Sequence, residues 1–286
     1  MRQTSVWGAA SLAENRRISI VASTENSHPG LPITDFFVPQ PLLQHADFRT
    51  QVVLQPVSDE TGSAAARSWL GGMPEMPADQ PWPEGPSGKM VFVAQICCSD
   101  LPRMLWGGIG PREGWLLLFL DALPVGGEPY SRILHVLERG PARHEGSEIE
   151  IDFLDRRHRA SPGTAPALPH VPIELVARRT PTDLYAPVRP GEHSMGGLPT
   201  IGWDVPDQMR VSAYAPPALR SAWAQEYAYL NINPVDVQQV LLFQLATDGV
   251  AGWIWGDMGT ALVIMPRPDL VQKRFDRAYL TIEGGG

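Results

Sequence analysis

Two short segments, SWLGGMP at Ser68–Pro74 and HSMGGLP at His193–Pro199, share a Gly-Gly-x-Pro motif and decide the expected fold. Each is followed by an apolar run with one glutamine inside it, VFVAQI with Gln95 and VLLFQL with Gln244. A second apolar run comes next in both cases, WLLLFL and then TALVIM. Because three elements recur in the same order, the sequence predicts an internal duplication of a β-rich unit.

The rest of the chain adds more strand-like runs and a few helical stretches. Runs rich in β-branched and large apolar residues predict strands, at Gln51–Val57, Met90–Cys97, Trp115–Ala122, Ser131–Glu138, Glu148–Asp155, Val171–Ala177, Val237–Ala246, Gly259–Met265 and Arg277–Glu283. Helical patterns occur at Asp59–Leu70, Pro217–Leu230 and Pro268–Phe275. The 29 prolines and 27 glycines favour turns over a helical bundle. We expect an α+β protein with mostly antiparallel sheet, two related β-rich units and peripheral helices.

The expected organisation has four parts. Residues 1–49 are a polar lead segment, and residues 50–158 form the first β-rich unit. Residues 159–191 are a Pro/Arg-rich connector, and residues 192–286 form the second unit. Two units that each expose an apolar sheet face are expected to pack together as one domain.

Charge and composition exclude several classes of protein. The net charge of −8 comes without a basic stripe, which argues against nucleic-acid binding. The apolar runs are too short to span a bilayer, and the start of the chain lacks the apolar core of a signal peptide. The two cysteines are adjacent, Cys97 and Cys98, and are expected to be reduced thiols. We therefore expect a cytoplasmic protein that binds neither membrane nor nucleic acid.

The sequence contains no recognisable catalytic or cofactor motif. The seven histidines show no metal-ligand spacing, so no metal site is expected. The segment GPSGK at Gly85–Lys89 lacks the spacing and the hydroxyl residue of a phosphate-binding loop. No cofactor is expected.

The segment GWIWGDMG at Gly252–Gly259 leaves two interpretations open. Trp253 and Trp255 would share one face of a strand, and Asp257 would cap the following turn. Under the first interpretation the tryptophans fill the core behind a tight turn. Under the second they form an aromatic cleft in which Asp257 is the polar anchor.

Three further residues are candidate binding residues. Gln95 and Gln244 lie inside apolar strands, where a buried amide must be hydrogen-bonded. They either bind the Gly-Gly loop of their own unit or face a shared cleft between the units. His193, which precedes the second Gly-Gly loop, is either a solvated loop residue or part of such a cleft.

The chain resembles the YwqG-like family of uncharacterised bacterial proteins. The resemblance spans roughly Gln51 to Glu283 and is most specific at Trp82–Pro83, downstream of the first Gly-Gly-x-Pro loop, and at Trp255–Gly259. It implies a compact α+β fold with extensive sheet and no assigned activity. Some members occur near secreted-toxin systems, which implies an antitoxin-type binding role by association only.

Two functions remain open at this stage. In the first, the protein is a non-catalytic protein-binding module, immunity-type or regulatory, with a toxin-like or other protein partner. In the second, it binds a small ligand or is an enzyme, with a cleft between the two units near Trp255, Asp257 and the two glutamines.

Overall fold

The computed structural model describes part of the 286-residue chain. The described residues are 50–57, 65–121, 130–145, 168–179, 192–197, 219, 221–222, 225–226, 239–256 and 259–283. The predicted lead segment 1–49 and the predicted strand Glu148–Asp155 lie outside them. Within the described ranges, no helix has both the length and the apolarity needed to cross a membrane. The cytoplasmic location stays a prediction.

Twelve strands are formed by these residues. They are β1 (Thr50–Pro56), β2 (Ser68–Leu70), β3 (Glu84–Gly85), β4 (Gly88–Lys89), β5 (Val91–Cys97), β6 (Trp115–Leu120), β7 (Ser131–Val136), β8 (Val171–Arg179), β9 (Ser194–Gly196), β10 (Gln239–Ala246), β11 (Thr260–Pro266) and β12 (Tyr279–Glu283). Every residue of β5, β10 and β11 is buried. Strands covered on both faces need apolar residues at nearly every position, which is why these runs lack polar alternation.

Ten of the strands form a single antiparallel sheet in the order β12-β11-β10-β9-β1-β8-β2-β5-β6-β7. The two outer strands, β7 and β12, lie in contact with each other. The 3₁₀ turn Phe275–Arg277 also contacts β7, and the ring of Phe275 lies 5.9 Å from that of His135. The sheet is therefore nearly closed and barrel-like, and β3 and β4 form a separate small hairpin.

The predicted α+β class with peripheral helices is wrong. The described residues are mostly antiparallel β, and the one α-helix delimited among them is α1, Arg267–Val271. The Ala-rich pattern at Asp59–Leu70 predicted a helix, but its last three residues form β2, because pairing with β5 and β8 buries Trp69 and Leu70. Tertiary burial here overrides local helix propensity. Of the predicted helix Pro217–Leu230, the structure describes residues 219, 221–222 and 225–226, and all five are helical.

One hydrophobic core draws side chains from all ten strands of the sheet. A second, smaller cluster lies on the opposite face of β2, β5 and β6, under the Pro-rich loop that follows the first Gly-Gly motif. In that loop Trp82 packs edge-on against Phe119, with ring centroids 5.2 Å apart. Its indole nitrogen donates to the carbonyl oxygen of Met90 at 2.9 Å. The loop thus covers what would otherwise be an exposed apolar sheet face.

The strand order of the sheet is symmetric about its centre, with equivalent strands of the two repeats at equal distances from it. The series β2, β5, β6, β7 runs outward on one side, and the series β9, β10, β11, β12 runs outward on the other. Trp69 of β2 lies opposite Gln95, and Ser194 of β9 lies opposite Gln244. The register of β5 shifts after Phe92 and that of β10 after Leu241, each three residues before the glutamine. These pairings are what a duplicated unit would produce. The domain boundaries drawn from the sequence stay a prediction.

The first strand of each repeat pairs with the other repeat. In sequence β1 precedes β2, yet in the sheet β1 lies beside β9. Strand β8 precedes β9 but lies beside β2. Strands β1 and β8 then pair with each other, from Thr50 opposite Arg179 to Pro56 opposite Ile173. We call this pairing the seam. Strand β8 of the seam lies within the predicted connector 159–191, which therefore contributes a strand to the sheet.

A tryptophan from the first repeat also reaches into the second. Trp106 is buried in the β5–β6 connection and has a left-handed backbone, φ 55°. Its indole nitrogen donates to the carbonyl oxygen of Leu241 at 2.9 Å, where the register of β10 shifts. The carbonyl oxygen of Trp106 in turn accepts from Nη1 of Arg267 at 3.0 Å. A bulky residue with positive φ is strained, so these buried contacts hold it in place.

The first Gly-Gly turn can be tested with a matched pair of variants. Gly71 and Gly256 have similar backbone conformations, φ 59° and φ 52°. A Cβ on Gly71 would lie 2.1 Å from the carbonyl oxygen of Pro169, whereas a Cβ on Gly256 would meet nothing within 4 Å. Gly256→Ala should lower the free energy of unfolding by about 1 kcal/mol, the cost of a left-handed alanine. Gly71→Ala should lower it by about 3 kcal/mol or more.

Denaturant titration of both variants measures the two losses. Equal losses would show that the close approach of Gly71 to Pro169 does not restrict the turn.

Candidate functional site

The two tryptophans of GWIWGDMG fill the main core. Trp253 and Trp255 are fully buried in the β10–β11 connection, with ring centroids 6.0 Å apart. The indole nitrogen of Trp253 donates to the carbonyl oxygen of Ala246 at 2.9 Å. The backbone N–H of Trp255 donates to Oγ1 of Thr247 at 3.0 Å. The geometry matches a tight turn with a filled core behind it. Asp257 lies outside the described residues.

His193 lies against the same turn, buried rather than in a solvated loop. Its side chain is fully buried, and its ring meets that of Trp253 edge-on at 5.3 Å. Nε2 of His193 lies 3.1 Å from Oδ2 of Asp248. Its backbone oxygen accepts from the N–H of Leu54 at 2.9 Å, which fixes the residue next to β1. The structure therefore brings His193, Trp253 and Trp255 together.

Asp248 is the member of this cluster that the sequence analysis missed. Its Oδ1 accepts the backbone N–H of Val250 at 2.7 Å, and its backbone oxygen accepts from Gly252 and Trp253. The hydrogen bond from His193 holds the pKa of Asp248 below its ordinary value. The signal was present as the Asp-Gly dipeptide at Asp248–Gly249, which is typical of a turn.

The histidine of the His193–Asp248 pair is sealed from solvent, whereas the aspartate is partly exposed. The histidine side chain is 0% exposed and that of Asp248 is 17% exposed. Nδ1 of His193 is buried and has no hydrogen-bond partner in the described part of the chain. A general base must come within hydrogen-bond reach of its substrate. The pair therefore connects the β10–β11 turn to the start of β9, and the His193 ring has no access to a substrate in this conformation.

The two glutamines do not share a cleft. The residues flanking Gln95 and Gln244 belong to the main core, so both amides point to the opposite face of the sheet. Four strands lie between β5 and β10 in the sheet. Oε1 of Gln95 accepts the backbone N–H of Glu75 at 2.9 Å, so Gln95 binds the loop that follows its own Gly-Gly turn. Gln244 is 1% exposed opposite Ser194.

The other buried ionisable groups, the two cysteines and Asp269, also lie inside the packed structure. Cys97 and Cys98 are free and buried, and burial raises the pKa of Cys98 to about 12. A thiol with that pKa is a poor nucleophile because the thiolate is the reactive form.

Burial also raises the pKa of Asp269 on α1 to about 6, although Arg274 and Arg277 oppose that shift. Nη2 of Arg274 contacts both Asp269 and Glu226.

An open cleft lies on the seam. Its volume is about 460 Å³, and it is lined by Gln55, Pro56, Val57, Ala65, Ala66, Arg67, Ser68, Asp100, Ile173, Glu174 and Leu175. We call it the seam cleft. Six of these residues are exposed, namely Gln55, Pro56, Ala65, Arg67, Asp100 and Glu174. Arg67 and Asp100 form an ion pair.

The seam cleft lies where equivalent positions of the two repeats meet. Val52 lies opposite Met195 of the second Gly-Gly strand, and Val171 lies opposite Leu70 of the first. Val52 and Val171 are therefore equivalent positions in the two repeats. Three residues further along each strand, Gln55 and Glu174 are also equivalent, and they lie opposite each other. The sequence analysis expected a cleft between the units but placed it near other residues, because this one depends on strand exchange.

No metal centre is formed within the ranges that the structure describes. No group of three or more His, Cys, Asp or Glu side chains there is arranged to hold an ion. Among the predicted site residues, His193, Trp253 and Trp255 form one buried cluster, and Gln95 and Gln244 lie apart on the other face of the sheet. None of them lines the seam cleft.

The role of Asp248 can be tested through the pH dependence of stability. Its folded-state pKa lies below the ordinary value of 3.8, mainly because of the hydrogen bond from His193. The ionised carboxylate therefore stabilises the fold above that value, and this contribution is lost as the pH falls through the depressed pKa. Asp248→Asn should lower the free energy of unfolding by about 1–3 kcal/mol at neutral pH. The difference from wild type should shrink as the solution is acidified below 3.8.

Urea denaturation at a series of pH values measures this difference. Asp276→Asn, at an exposed aspartate, is the matched control and should change little. A loss for Asp248→Asn that stays constant with pH would contradict a depressed pKa of Asp248 caused by the hydrogen bond from His193.

A match to a known protein family falls into two segments that correspond to the two repeats. A family model described as Domain of unknown function (DUF1963) matches residues 68–136 and 158–283, well over half of the chain. The first matched segment contains β2 to β7, and the second contains β8 to β12. No match to a curated protein was found. The match agrees with a family that has no assigned activity, and the YwqG-like name stays a prediction. The chain belongs to the family described as Domain of unknown function (DUF1963).

Proposed function

We propose that the chain is a non-catalytic binding protein and that a segment of a protein partner enters the seam cleft. The observation that carries this proposal is an open cleft with charged walls, placed where the two repeats meet. Clefts between repeated or packed units are frequent binding sites, because both units contribute to their walls.

The openness of the cleft favours a protein segment over a small molecule. Small-molecule pockets bury roughly 70–90% of their ligand and are lined mainly by apolar and aromatic side chains. In the seam cleft, exposed polar or charged groups come from Gln55, Arg67, Asp100 and Glu174, and no aromatic residue lines it. Such walls suit the polar side chains of a partner that also covers the cleft from outside.

The surroundings of the reactive side chains favour a role without catalysis. His193 is buried against Trp253 and bound to the partly exposed Asp248, and Cys97 and Cys98 are buried. Each of these groups already stabilises the fold or lies within its core. The residues that line the cleft include neither a histidine nor a cysteine that could act as base or nucleophile. The family resemblance implies, by association, that the chain has an antitoxin-type binding role with a toxin-like protein as its partner.

A second candidate function is the binding of a small polar ligand in the same cleft. The volume of about 460 Å³ favours it, because small-molecule sites usually occupy roughly 300–1,000 Å³. A ligand that co-purifies with the protein and is displaced by changes at Glu174 would support this candidate.

Site-specific photo-crosslinking tests the protein-binding proposal. A photo-reactive phenylalanine derivative at Gln55, in the cleft, should crosslink one protein in the lysate of the source organism. The same derivative at Glu138 is the matched control, since Glu138 is exposed just after β7, at the edge of the sheet. It should give no crosslink to that protein. Capture from both positions equally, or from neither, would contradict the proposal.

A further inference from the structure

The partner of the seam cleft can be described by its chemistry, an inference that rests on the proposed function. We infer that it presents an arginine side chain to Glu174.

The charges of the cleft walls leave one carboxylate unbalanced. The charged residues that line the cleft are Arg67, Asp100 and Glu174. Arg67 and Asp100 pair with each other. The side chain of Glu174 has no hydrogen-bond or ion-pair partner among the residues that the structure describes. The walls therefore carry a net charge of −1, located at Glu174.

The neighbour of Glu174 across the seam favours a guanidinium group. Gln55 lies opposite Glu174 in the β1–β8 ladder, and both side chains are exposed. A carboxylate and an amide oxygen side by side can accept several N–H donors from one planar group. Arginine presents five such donors in a fixed fork, whereas lysine presents three on a compact ammonium.

The remaining walls can accommodate the rest of the side chain. Pro56, Val57 and Ala65 offer apolar surface in the same cleft. The aliphatic stem of an arginine packs on such surface while its charged end reaches a carboxylate. An anionic group would instead meet Glu174, and Arg67, the one cation among the described lining residues, is already paired with Asp100.

The net charge of the whole chain also favours a basic partner. The chain has a net charge of −8. A negatively charged protein attracts basic partners and raises their rate of encounter. Because exposed charges are screened over roughly 10 Å at 0.1 M salt, this attraction should weaken as salt is added.

The test measures binding of a defined probe to the full chain. The probe is an acetylated arginine amide, and its neutral isostere is the corresponding citrulline amide. Nuclear magnetic resonance titration should show arginine-dependent shifts at Gln55 and Glu174, and binding at least tenfold weaker for the citrulline probe. The lysine amide should also bind more weakly than the arginine amide.

Two exposed glutamates provide matched variants. Glu174→Gln should weaken binding of the arginine probe at least tenfold, and Glu138→Gln should leave it unchanged. Both variants should keep the wild-type melting temperature, since neither side chain is buried. Equal binding of the arginine and citrulline probes, or full binding by Glu174→Gln, would overturn the inference.

The crosslinking assay separates this inference from the proposed function. If the partner still crosslinks from Gln55 in the Glu174→Gln protein, the arginine contact is wrong and the binding role stands. If no partner crosslinks from Gln55 in the wild-type background, the proposed function itself is wrong.

Discussion

The antiparallel pairing of β1 with β8 is the constraint on which the described structure depends. Each of these strands is the first of its own repeat in sequence but lies beside the Gly-Gly strand of the other repeat. Neither repeat can therefore complete its part of the sheet alone, because its neighbour supplies the next strand. The long sequence separation of these pairs makes their formation entropically costly. Burial of one core shared by all ten strands offsets that cost.

Contacts other than strand pairing also cross between the repeats. The indole of Trp106 donates to a carbonyl of β10 that the register shift leaves available, and Arg267 of α1 binds the backbone of Trp106. The backbone oxygen of His193 accepts from the N–H of Leu54 in β1, and its side chain binds Asp248 in the turn after β10, so the first strand of one repeat is tied to the β10–β11 turn of the other. Buried hydrogen bonds are costly to break without replacement, so these contacts make the two repeats one cooperative unit. The seam cleft is a consequence of the same exchange, because β1 and β8 supply five of its eleven lining residues.

The sequence predicted the parts of this fold that depend on local pattern. Long apolar runs located β5, β6, β10 and β11, and the recurrence of Gly-Gly with a downstream glutamine indicated two repeats. The three-residue strands β2 and β9 were missed, since they are too short to show a period and owe their existence to neighbours on both sides. The helical expectation at Asp59–Leu70 was wrong for its last three residues for the same reason.

The candidate sites show the same limit. The burial of His193 against Trp253 depends on contacts between distant segments, and only the Asp-Gly turn gave a local hint of Asp248. The hypothesis of a crevice shared by Gln95 and Gln244 required knowing which face each strand turns to the core. Repeat symmetry placed these residues in equivalent positions but on separate parts of the sheet. The seam cleft was not predictable, because no sequence pattern shows that two first strands exchange places.

Native-state hydrogen exchange tests most directly whether the exchanged strands join the repeats into one cooperative unit. The account predicts that the slowest amides of β1, such as that of Val53, and those of β5 and β10 open with one common free energy, equal to that of global unfolding. It would be contradicted if the amides of β1 and β8 exchanged through an opening of much lower free energy while β5 and β10 stayed protected.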